Sequence, residues 1–490
     1  MTSGRESGLG LPGSCALIVI CTIATFAPTL RNGFLPLGFD DGLILYTPAL
    51  RGLGFQQLRA MATEFNHAHY VPLTMLSLAL DYHFWQLNPW GYHLTNIVLH
   101  ATAAALLCMF LQPLLSSGAA LVAALIFAVH PVQMEVVSLA VQRKTLLAGV
   151  FFFLTLIFYQ RWRRSGGRRH YVAAVVLFTG AAFSKPAVVS VPLILLLYDY
   201  VFVTRRPRWV HTLPFFAIAA TTTALGVRAH AAVGALHGFH GGSLLPHLLM
   251  VSRVTLEYVD ALFLPVNLAP IYYYRIGSAY APVNFLALAL IPTLCLSVTL
   301  YRRGTWSFFC LWWFLLMLLP ESNLIPLAQL RADRFLYFPM VGFAIWVAVG
   351  LESAARVLGR RWGWRQPLRP VAVPIIAILA FLSYRSAAVW HDDVTAWARI
   401  VERHPWCAVA HGTLGQAYYD RNDLANAERE LGTATRIAAQ LPDPHLYLAR
   451  VYAERGQRDL ARSEVAKFIE LEPNDPAGHE LLATLGSGSS

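Results

Sequence analysis

Long apolar segments recur along the first 390 residues, and they constrain the fold more than any other feature. Most approach the length of about 20 residues that an α-helix needs to cross the hydrocarbon core of a bilayer. Of all 490 residues, 56% are hydrophobic and only 13% are charged, a balance that is unusual for a soluble domain. The chain is therefore predicted to be an all-α, multi-pass membrane protein. Eleven spans are predicted at about residues 13–30, 94–113, 118–134, 146–160, 171–183, 187–203, 210–227, 281–300, 305–320, 335–353 and 371–388.

Short arginine-rich connectors between these segments predict the topology. They lie at 161–169, 205–208, 302–303 and 356–369, and strict alternation of the spans puts all four in the cytoplasm, as the positive-inside rule requires. The N terminus is then cytoplasmic and the C-terminal tail is extracytoplasmic. Segment 245–268 is long enough to cross but carries three charges, so it is predicted to lie at the outer interface or to re-enter the membrane.

The basic residues also bear on partners and source. The net charge of +11 arises mainly in membrane connectors, so nucleic-acid binding is not predicted. Of the 38 basic residues only Lys144, Lys185 and Lys467 are lysines. That skew is typical of a GC-rich genome and indicates a bacterial inner membrane, with the tail in the periplasm.

The tail repeats itself at an interval of 34 residues. The matched pairs are Gly415 and Ala449, Tyr418 and Tyr452, Asn422 and Gly456, and Ala427 and Ala461. This is the tetratricopeptide period of paired antiparallel helices, which bury their apolar faces by stacking on neighbours. We therefore predict a membrane domain over 1–389 and a small tetratricopeptide-repeat α-solenoid over 390–490.

Two adjacent acids, Asp40 and Asp41 in "GFDDG", follow the first apolar segment on the predicted outer side. A carboxylate at the membrane surface could act as a general base or bind a divalent cation through oxygen. The same letters also suit a chain turn or a helix cap. Sequence alone leaves these alternatives open.

A series of motifs follows in a characteristic order. The stretch between Asn66 and His100 contains Pro72, Leu73, Thr74, Ser77, Asp81, Tyr82, Asn88, Pro89, Gly91, His93, Asn96 and His100. Further motifs are "HPVQMEVVSLAVQRKTLLAG" from His130, "FSKPAVVSVPLILLLYDYVF" from Phe183 and "PESNLIPLAQLRADRFLYFP" from Pro320. Together with the repeats in the tail, these motifs resemble the TMTC-type protein O-mannosyltransferases, in the GT-C class of membrane glycosyltransferases.

This resemblance implies a GT-C fold and transfer of a hexose, mannose in the named family, from a polyprenyl-phosphate carrier to a hydroxyl acceptor. It implies that the catalytic acid lies in the first outer loop, here Asp40 or Asp41, with Asp40 favoured as the base. The acceptor is expected to be protein serine or threonine. A second hypothesis is an enzyme that modifies a lipid-linked glycan or lipopolysaccharide. A third is a non-catalytic membrane scaffold whose tail recruits partners.

Other polar residues predicted on the same outer side complete the candidate site. The basic residues expected to bind the donor phosphate, because guanidinium and ammonium groups bind phosphate oxygens, are Arg143, Lys144, Lys185, Arg331 and Arg334. Those expected to orient the acids or to bind sugar or acceptor are His93, His130 and Glu135. Lys185 could instead extend from a helix end to the interface, and Arg331 and Arg334 could pair with Asp333 or Glu321.

The sequence identifies no cofactor. Its six cysteines lack the spacing of a metal site or of a disulfide framework. Gln133 and Thr145 stand where relatives often carry histidine and aspartate, which weakens any metal site based on paired histidines, although a divalent cation at the acids stays an open alternative.

Overall fold

A computed structural model describes residues 9–64, 70–205, 209–232, 238–301, 305–362 and 368–486. These residues form helices and loops, and no strand occurs among them, which confirms the predicted all-α class. They divide into two compact units. The first comprises residues up to Phe34, Leu43–Leu268 and Tyr274–Ala388; the second comprises Leu35–Gly42, Ala269–Tyr273 and the chain from Val389.

The α-helices before the tail are mostly apolar. They are α1 (Leu11–Phe26), α2 (Gly42–Tyr46), α3 (Phe55–Thr63), α4 (Pro72–Trp85), α5 (Pro89–Leu111), α6 (Ser117–Val129), α7 (Met134–Ser138), α8 (Arg143–Ser165), α9 (Arg168–Ser184), α10 (Val191–Tyr198), α11 (Leu213–Ala232), α12 (Leu244–Phe263), α13 (Pro282–Tyr301), α14 (Trp306–Leu318), α15 (Met340–Trp362) and α16 (Leu368–Ser386). Short 3₁₀ segments extend several of them, and a π-helical turn, Asp199–Val203, follows α10.

Helices occupy all eleven positions at which spans are predicted. Within the described residues, eight helical segments are long and apolar enough to cross a membrane, and a ninth forms if the bent pair Ser117–Val129 and Pro131–Ser138 is counted as one span. The other two positions hold α9, of 17 residues, and the shorter apolar segment Trp306–Glu321. Segment 245–268 forms most of helix α12, which is not among the apolar candidates. The chain is thus a multi-pass membrane protein.

The bend of 50° between α6 and α7 exposes helix-terminal carbonyl groups inside the protein. Pro131 ends α6 because it disfavours helical geometry at the preceding residue, and His130 is indeed extended. Three side chains then bond the freed carbonyl oxygens: Gln133 donates to Phe127 at 3.3 Å, His100 to Ala128 at 3.0 Å and Ser383 to Val129 at 2.7 Å. Such replacement partners make a broken helix tolerable where water is absent.

The tail consists of α17 (Asp393–Arg403), α18 (Ala408–Asp420), α19 (Leu424–Ile437), α20 (Pro442–Glu454), α21 (Arg458–Leu471) and α22 (Pro476–Gly486). The starts of α18, α20 and α22 are each 34 residues apart, as are those of α19 and α21. Gly415 lets α18 approach α19 closely, since a Cβ there would lie 2.5 Å from Leu431 Cγ. These paired helices are the predicted tetratricopeptide repeats.

A histidine contact that the sequence analysis missed recurs in each repeat. His411, His445 and His479 are 34 residues apart, and the Nε2 atom of each ring hydrogen-bonds to a carbonyl oxygen six residues earlier, at 2.9–3.1 Å. In two repeats Nδ1 also contacts a glutamate of the following helix, Glu430 at 2.7 Å and Glu464 at 2.6 Å. In these two repeats the histidine ties the turn before the repeat to both of its helices.

The His411–Glu430 contact should make the tail weaker in alkaline solution. The hydrogen bond to Glu430 raises the pKa of His411 above 6.5, and the same bond lowers the pKa of Glu430 below 4.5. The pair is therefore at full strength between these two unfolded-state values, and its contribution is lost as pH rises through the folded-state pKa of His411. Hydrogen exchange of α18 and α19, corrected for intrinsic rates, should show lower protection at pH 9 than at pH 6. E430Q should remove that pH dependence; an unchanged dependence would contradict the assignment.

Candidate active site

The segment that carries the two acids forms a closed turn within the second unit. Asp40 is exposed, whereas Asp41 is fully buried and its Oδ2 accepts a hydrogen bond from the Leu35 backbone N–H at 3.2 Å. Gly38 has φ +72°, a conformation that strains most other residues. The turn therefore gives the neighbouring carboxylates different roles: Asp41 closes the loop, and Asp40 is accessible to solvent.

Arg334, in the first unit, is held firmly by Glu135 of α7. The Arg334 backbone N–H donates to Glu135 Oε2 at 2.8 Å, its guanidinium pairs with Glu135 Oε1, and a second guanidinium nitrogen donates to Gln329. Glu135 is 2% exposed. Such charge-assisted contacts fix the direction of the guanidinium group. Glu135, predicted to orient the acids or to bind sugar or acceptor, is thus engaged with an arginine.

Lys185 lies at the junction between α9 and the next helical segment, where it pairs with Glu321 at 2.8 Å. Both residues are buried. The Thr74 hydroxyl donates to the Ser184 carbonyl at 2.9 Å and so anchors this junction. The positive charges of Lys144 and Arg334 are both close enough to act on the Lys185 ammonium group. Three of the predicted phosphate ligands are therefore brought together in the first unit.

Arg331 belongs to a different network, centred on Glu257 of α12. Its Nη1 contacts Glu257 Oε2 at 2.9 Å, and its Nη2 lies 3.8 Å from Asp333. Arg253 and the Tyr274 hydroxyl also donate to Glu257, at 2.8 and 2.5 Å. Burial raises the pKa of Glu257, but the donors outweigh burial and the net shift is downward. The carboxylate therefore stays ionised and fixes Arg331.

Arg143 does not suit the predicted role of phosphate ligand. Its side chain is fully buried and donates to Asn96 at 2.8 Å, Ser77 at 2.9 Å, Asp81 at 2.5 Å and the Tyr92 carbonyl at 3.0 Å. Four of the five guanidinium N–H groups are thus committed to protein acceptors. This corrects the expectation from sequence: Arg143 joins α4, α5 and α8 as a structural ion pair.

Truncation of Arg143 should therefore destabilise the protein strongly. R143A leaves Asp81 buried without its cation, which typically costs about 3–5 kcal/mol. A titration with SDS in mixed micelles would measure the free energy of unfolding. R356A is the matched control, because Arg356 is 64% exposed and 4.0 Å from Glu352, and exposed pairs are worth about 1 kcal/mol or less. Equal losses in the two variants would contradict the structural role.

The two predicted histidines also have structural surroundings. His130 is buried, with Nε2 3.0 Å from the Leu262 carbonyl oxygen and Nδ1 accepting the Val132 N–H at 3.3 Å. Both ring nitrogens are therefore engaged, and the ring caps the turn between α6 and α7. His93, also fully buried in α5, lies beside the backbone of Asn32 and Gly33. Neither contact brings a histidine to the surface, where a sugar or acceptor would bind, so the structure does not favour that role.

Three acids that bond to candidate site residues or to the acid-bearing turn were not predicted from the sequence as site residues: Glu257, Glu321 and Asp393. Glu321 lies in the quoted "PESN" motif, and Glu257 is one of the charges that distinguish 245–268 from a lipid-facing span. Asp393 is the first residue of α17 and follows the N-cap residue Asp392, as at an ordinary helix start. The local sequence therefore does not mark it as a site residue. Among the described residues no group of three or more His, Cys, Asp or Glu side chains could hold a metal ion. Of the predicted connectors, residues 206–208, 302–303 and 363–367 lie outside the described ranges.

Helices, repeats and the buried ionic cluster define a class: a multi-pass membrane protein with polar residues fixed inside its helical domain and a tetratricopeptide tail. Comparison with known proteins gives names to its relatives. The chain is 41% identical over 97 residues to Protein O-mannosyl-transferase tmtc2 of Xenopus laevis, which covers 20% of this chain and 12% of that protein. It is 22% identical to Protein O-mannosyl-transferase TMTC3 of Homo sapiens over 481 aligned positions, covering 87% of this chain and 51% of the relative.

These matches confirm the predicted resemblance to TMTC-type proteins. The chain spans about half the length of the human relative and less of the frog one. It matches no protein-family model. A crystal structure of ArnT from Cupriavidus metallidurans, bound to undecaprenyl phosphate, aligns with 96% of this chain and 78% of its own at 14% identity and a TM-score of 0.38.

Proposed function

We propose that this protein is a GT-C-type membrane glycosyltransferase that moves a hexose, mannose by analogy with its named relatives, from a polyprenyl-phosphate carrier to a hydroxyl acceptor. The base takes the hydroxyl proton, the hydroxyl oxygen attacks the anomeric carbon, and the bond from that carbon to the phosphate oxygen breaks. Polyprenyl phosphate then leaves. The similarity to O-mannosyl-transferases over most of the chain is the observation that carries the proposal.

Asp40 is proposed as the base and Asp41 as its positioning partner. A general base must reach the proton that it abstracts, and Asp40 is exposed whereas Asp41 is buried and committed to Leu35. The buried hydrogen bond of Asp41 supports a role in fixing the conformation of the turn. The exposure of Asp40 supports access of the acceptor hydroxyl to its carboxylate.

Lys185 and Arg334, with Lys144 and Arg331, are proposed to neutralise the donor phosphate. A phosphate that leaves with its negative charge stabilised needs no general acid. Each of Lys185, Arg331 and Arg334 has a carboxylate partner in the protein, and that partner fixes its direction before a donor binds. Arg143 is left out because four of its five N–H donors are already bonded to protein acceptors.

The remaining features are proposed from the topology and the relatives. The acceptor is protein serine or threonine, the site faces away from the cytoplasm, and the membrane is a bacterial inner membrane with the tail in the periplasm. The charge distribution of the connectors supports this orientation. The repeats support a protein acceptor, because grooves between helices bind peptide segments.

The test is to offer the purified full-length protein a panel of radiolabelled polyprenyl-phosphate sugars together with extracytoplasmic extract. Label on secreted peptides supports protein O-glycosylation. Label on purified envelope glycolipid instead would favour the lipid-glycan reading. If a preparation that retains its fold transfers sugar from none of the donors, the proposed glycosyltransferase activity is contradicted and a membrane scaffold is favoured.

A further inference from the structure

The acid-bearing turn Leu35–Gly42 and the first tail helix α17 belong to the same compact unit, and they are joined by an unusually complete set of contacts. Trp397 is 2% exposed and its Nε1–H donates to the Leu37 carbonyl oxygen at 2.8 Å. Asp393 accepts the Leu37 N–H through Oδ1 at 3.3 Å. Both backbone polar groups of Leu37 are therefore bonded to side chains of α17.

The geometry of α17 suits this task. Asp393 and Trp397 are four residues apart and so lie on one face of the helix, one turn from each other. The helix start is itself fixed, because Asp392 and Thr395 form a reciprocal capping box. The two groups that bind Leu37 therefore belong to a rigid support.

The indole of Trp397 also covers the strained point of the turn. A Cβ added at Gly38, which has φ +72°, would lie 2.6 Å from Trp397 Cζ2. The Phe39 ring, one residue before Asp40, lies 5.8 Å from Trp397 and 5.9 Å from Trp390, centroid to centroid. The chain is thus held on both sides of Gly38, immediately before the acids.

We propose that α17 holds the acid-bearing turn in its active conformation, with Trp397 and Asp393 acting as positioning residues for Asp40 and Asp41. The inference rests on the proposed function, since it gives the tail a part in the transfer step itself. The tail is then more than a recruiting module. Its first helix completes the catalytic loop.

The burial of Asp393 makes this anchor sensitive to pH. Burial raises the pKa of Asp393, the Leu37 N–H lowers it, and the nearby carboxylates of Asp41 in the turn, Asp392 in the cap and Asp420 at the end of α18 also raise it; the net pKa is about 7. Because the folded-state pKa exceeds the unfolded value of 3.8, the anchor loses stability as pH rises towards and through about 7.

Hydrogen exchange of residues 33–45 in the full-length protein tests the anchor without relying on activity. W397A and D393A should remove protection of the turn, whereas D393N keeps an acceptor oxygen and should retain it. Protection in the wild type, corrected for intrinsic rates, should be higher at pH 5.5 than at pH 8.5, and D393N should remove that difference. Unchanged protection in both W397A and D393A would overturn the anchor.

Transfer kinetics test the positioning role. W397A should lower kcat on the order of a hundredfold, the effect typical of a misplaced catalytic group, with a smaller change in KM for the donor; W397F, which keeps a ring on Gly38, should recover part of the rate. L448A is the matched control, because Leu448 is buried in the tail core and its loss weakens the tail without touching the turn. An equal fall in kcat in L448A would overturn the inference.

The same measurements separate this inference from the proposed function. If the wild type transfers no sugar but its turn is protected by α17, the enzyme assignment fails and the anchor stands. If W397A exposes the turn and transfers sugar at the wild-type rate, the enzyme stands and the positioning role is overturned. G38A places a methyl group against Trp397, so a non-additive effect of G38A with W397A on kcat supports coupling through this contact.

Discussion

Replacement of Asp40 by asparagine is expected to reduce sugar transfer by roughly 10²–10⁴-fold, the contribution typical of a general base. Asparagine keeps the size and one oxygen of the side chain but cannot accept the hydroxyl proton. Because Asp40 is exposed, the fold should be unaffected. Initial rates with a radiolabelled donor and a serine- or threonine-containing peptide measure the effect, and KM for the donor should change little.

Asp41 provides the matched comparison for this result. Its carboxylate accepts the Leu35 N–H at 3.2 Å, and asparagine retains an oxygen that can accept the same bond. D41N should therefore be milder than D40N, whereas D41A removes the acceptor and should loosen the turn. If transfer survives in D40N, in D41N and in the double variant, neither aspartate is the base.

The positions of the helices could be predicted because apolar composition persists over a whole span. The bend at Pro131 could be predicted only in part. Proline gives a local reason for a break, but the break is tolerated only because His100, Gln133 and Ser383 bond the freed carbonyl groups. Ser383 is 254 residues from its partner, so no sequence window contains the cause.

The ion-pair partners of the basic residues could not be predicted from the sequence. Sequence proximity offered Asp333 or Glu321 as partners for Arg331 and Arg334. In the structure Arg334 pairs with Glu135, 199 residues away, Arg331 pairs mainly with Glu257, and Glu321 pairs with Lys185. The partner of a charged group inside a helical membrane protein is decided by helix packing, which the spacing of residues along the chain does not contain.

The adjacent acids and the tail illustrate the same limit. Sequence places Asp40 beside Asp41, yet only the closed turn distinguishes an exposed carboxylate from a buried one. The 34-residue period separates the tail cleanly from the apolar segments, but the second compact unit also takes in Leu35–Gly42 and Ala269–Tyr273. These short segments join it through individual contacts such as that of Trp397 with Leu37, and such contacts leave no periodic signal.

Removal of the Arg334 guanidinium is expected to lower kcat on the order of 10²–10³-fold, the loss typical of a single preorganised group that stabilises developing charge. Glu135 already holds Arg334 through its backbone and its side chain, so the guanidinium need not reorganise when phosphate charge develops. R334K should lose part of the rate, because lysine keeps the charge and lacks the fork geometry. Single-turnover transfer from a labelled polyprenyl-phosphate sugar measures the effect on the chemical step.

R334A alone would leave Glu135 buried and unpaired, and the resulting loss of stability could imitate a loss of catalysis. The double variant R334A/E135Q removes both charges and separates the two causes. If Arg334 stabilises the leaving phosphate, the double variant regains stability in an SDS titration while transfer stays low. If transfer returns with stability, Arg334 is a structural partner of Glu135. R356A is the control for charge alone, since Arg356 is 64% exposed and outside the proposed site, and its transfer rate should stay within a few fold of the wild type. K185A paired with K185A/E321Q applies the same logic to the second buried cation, whose 2.8 Å contact with Glu321 would otherwise obscure its role.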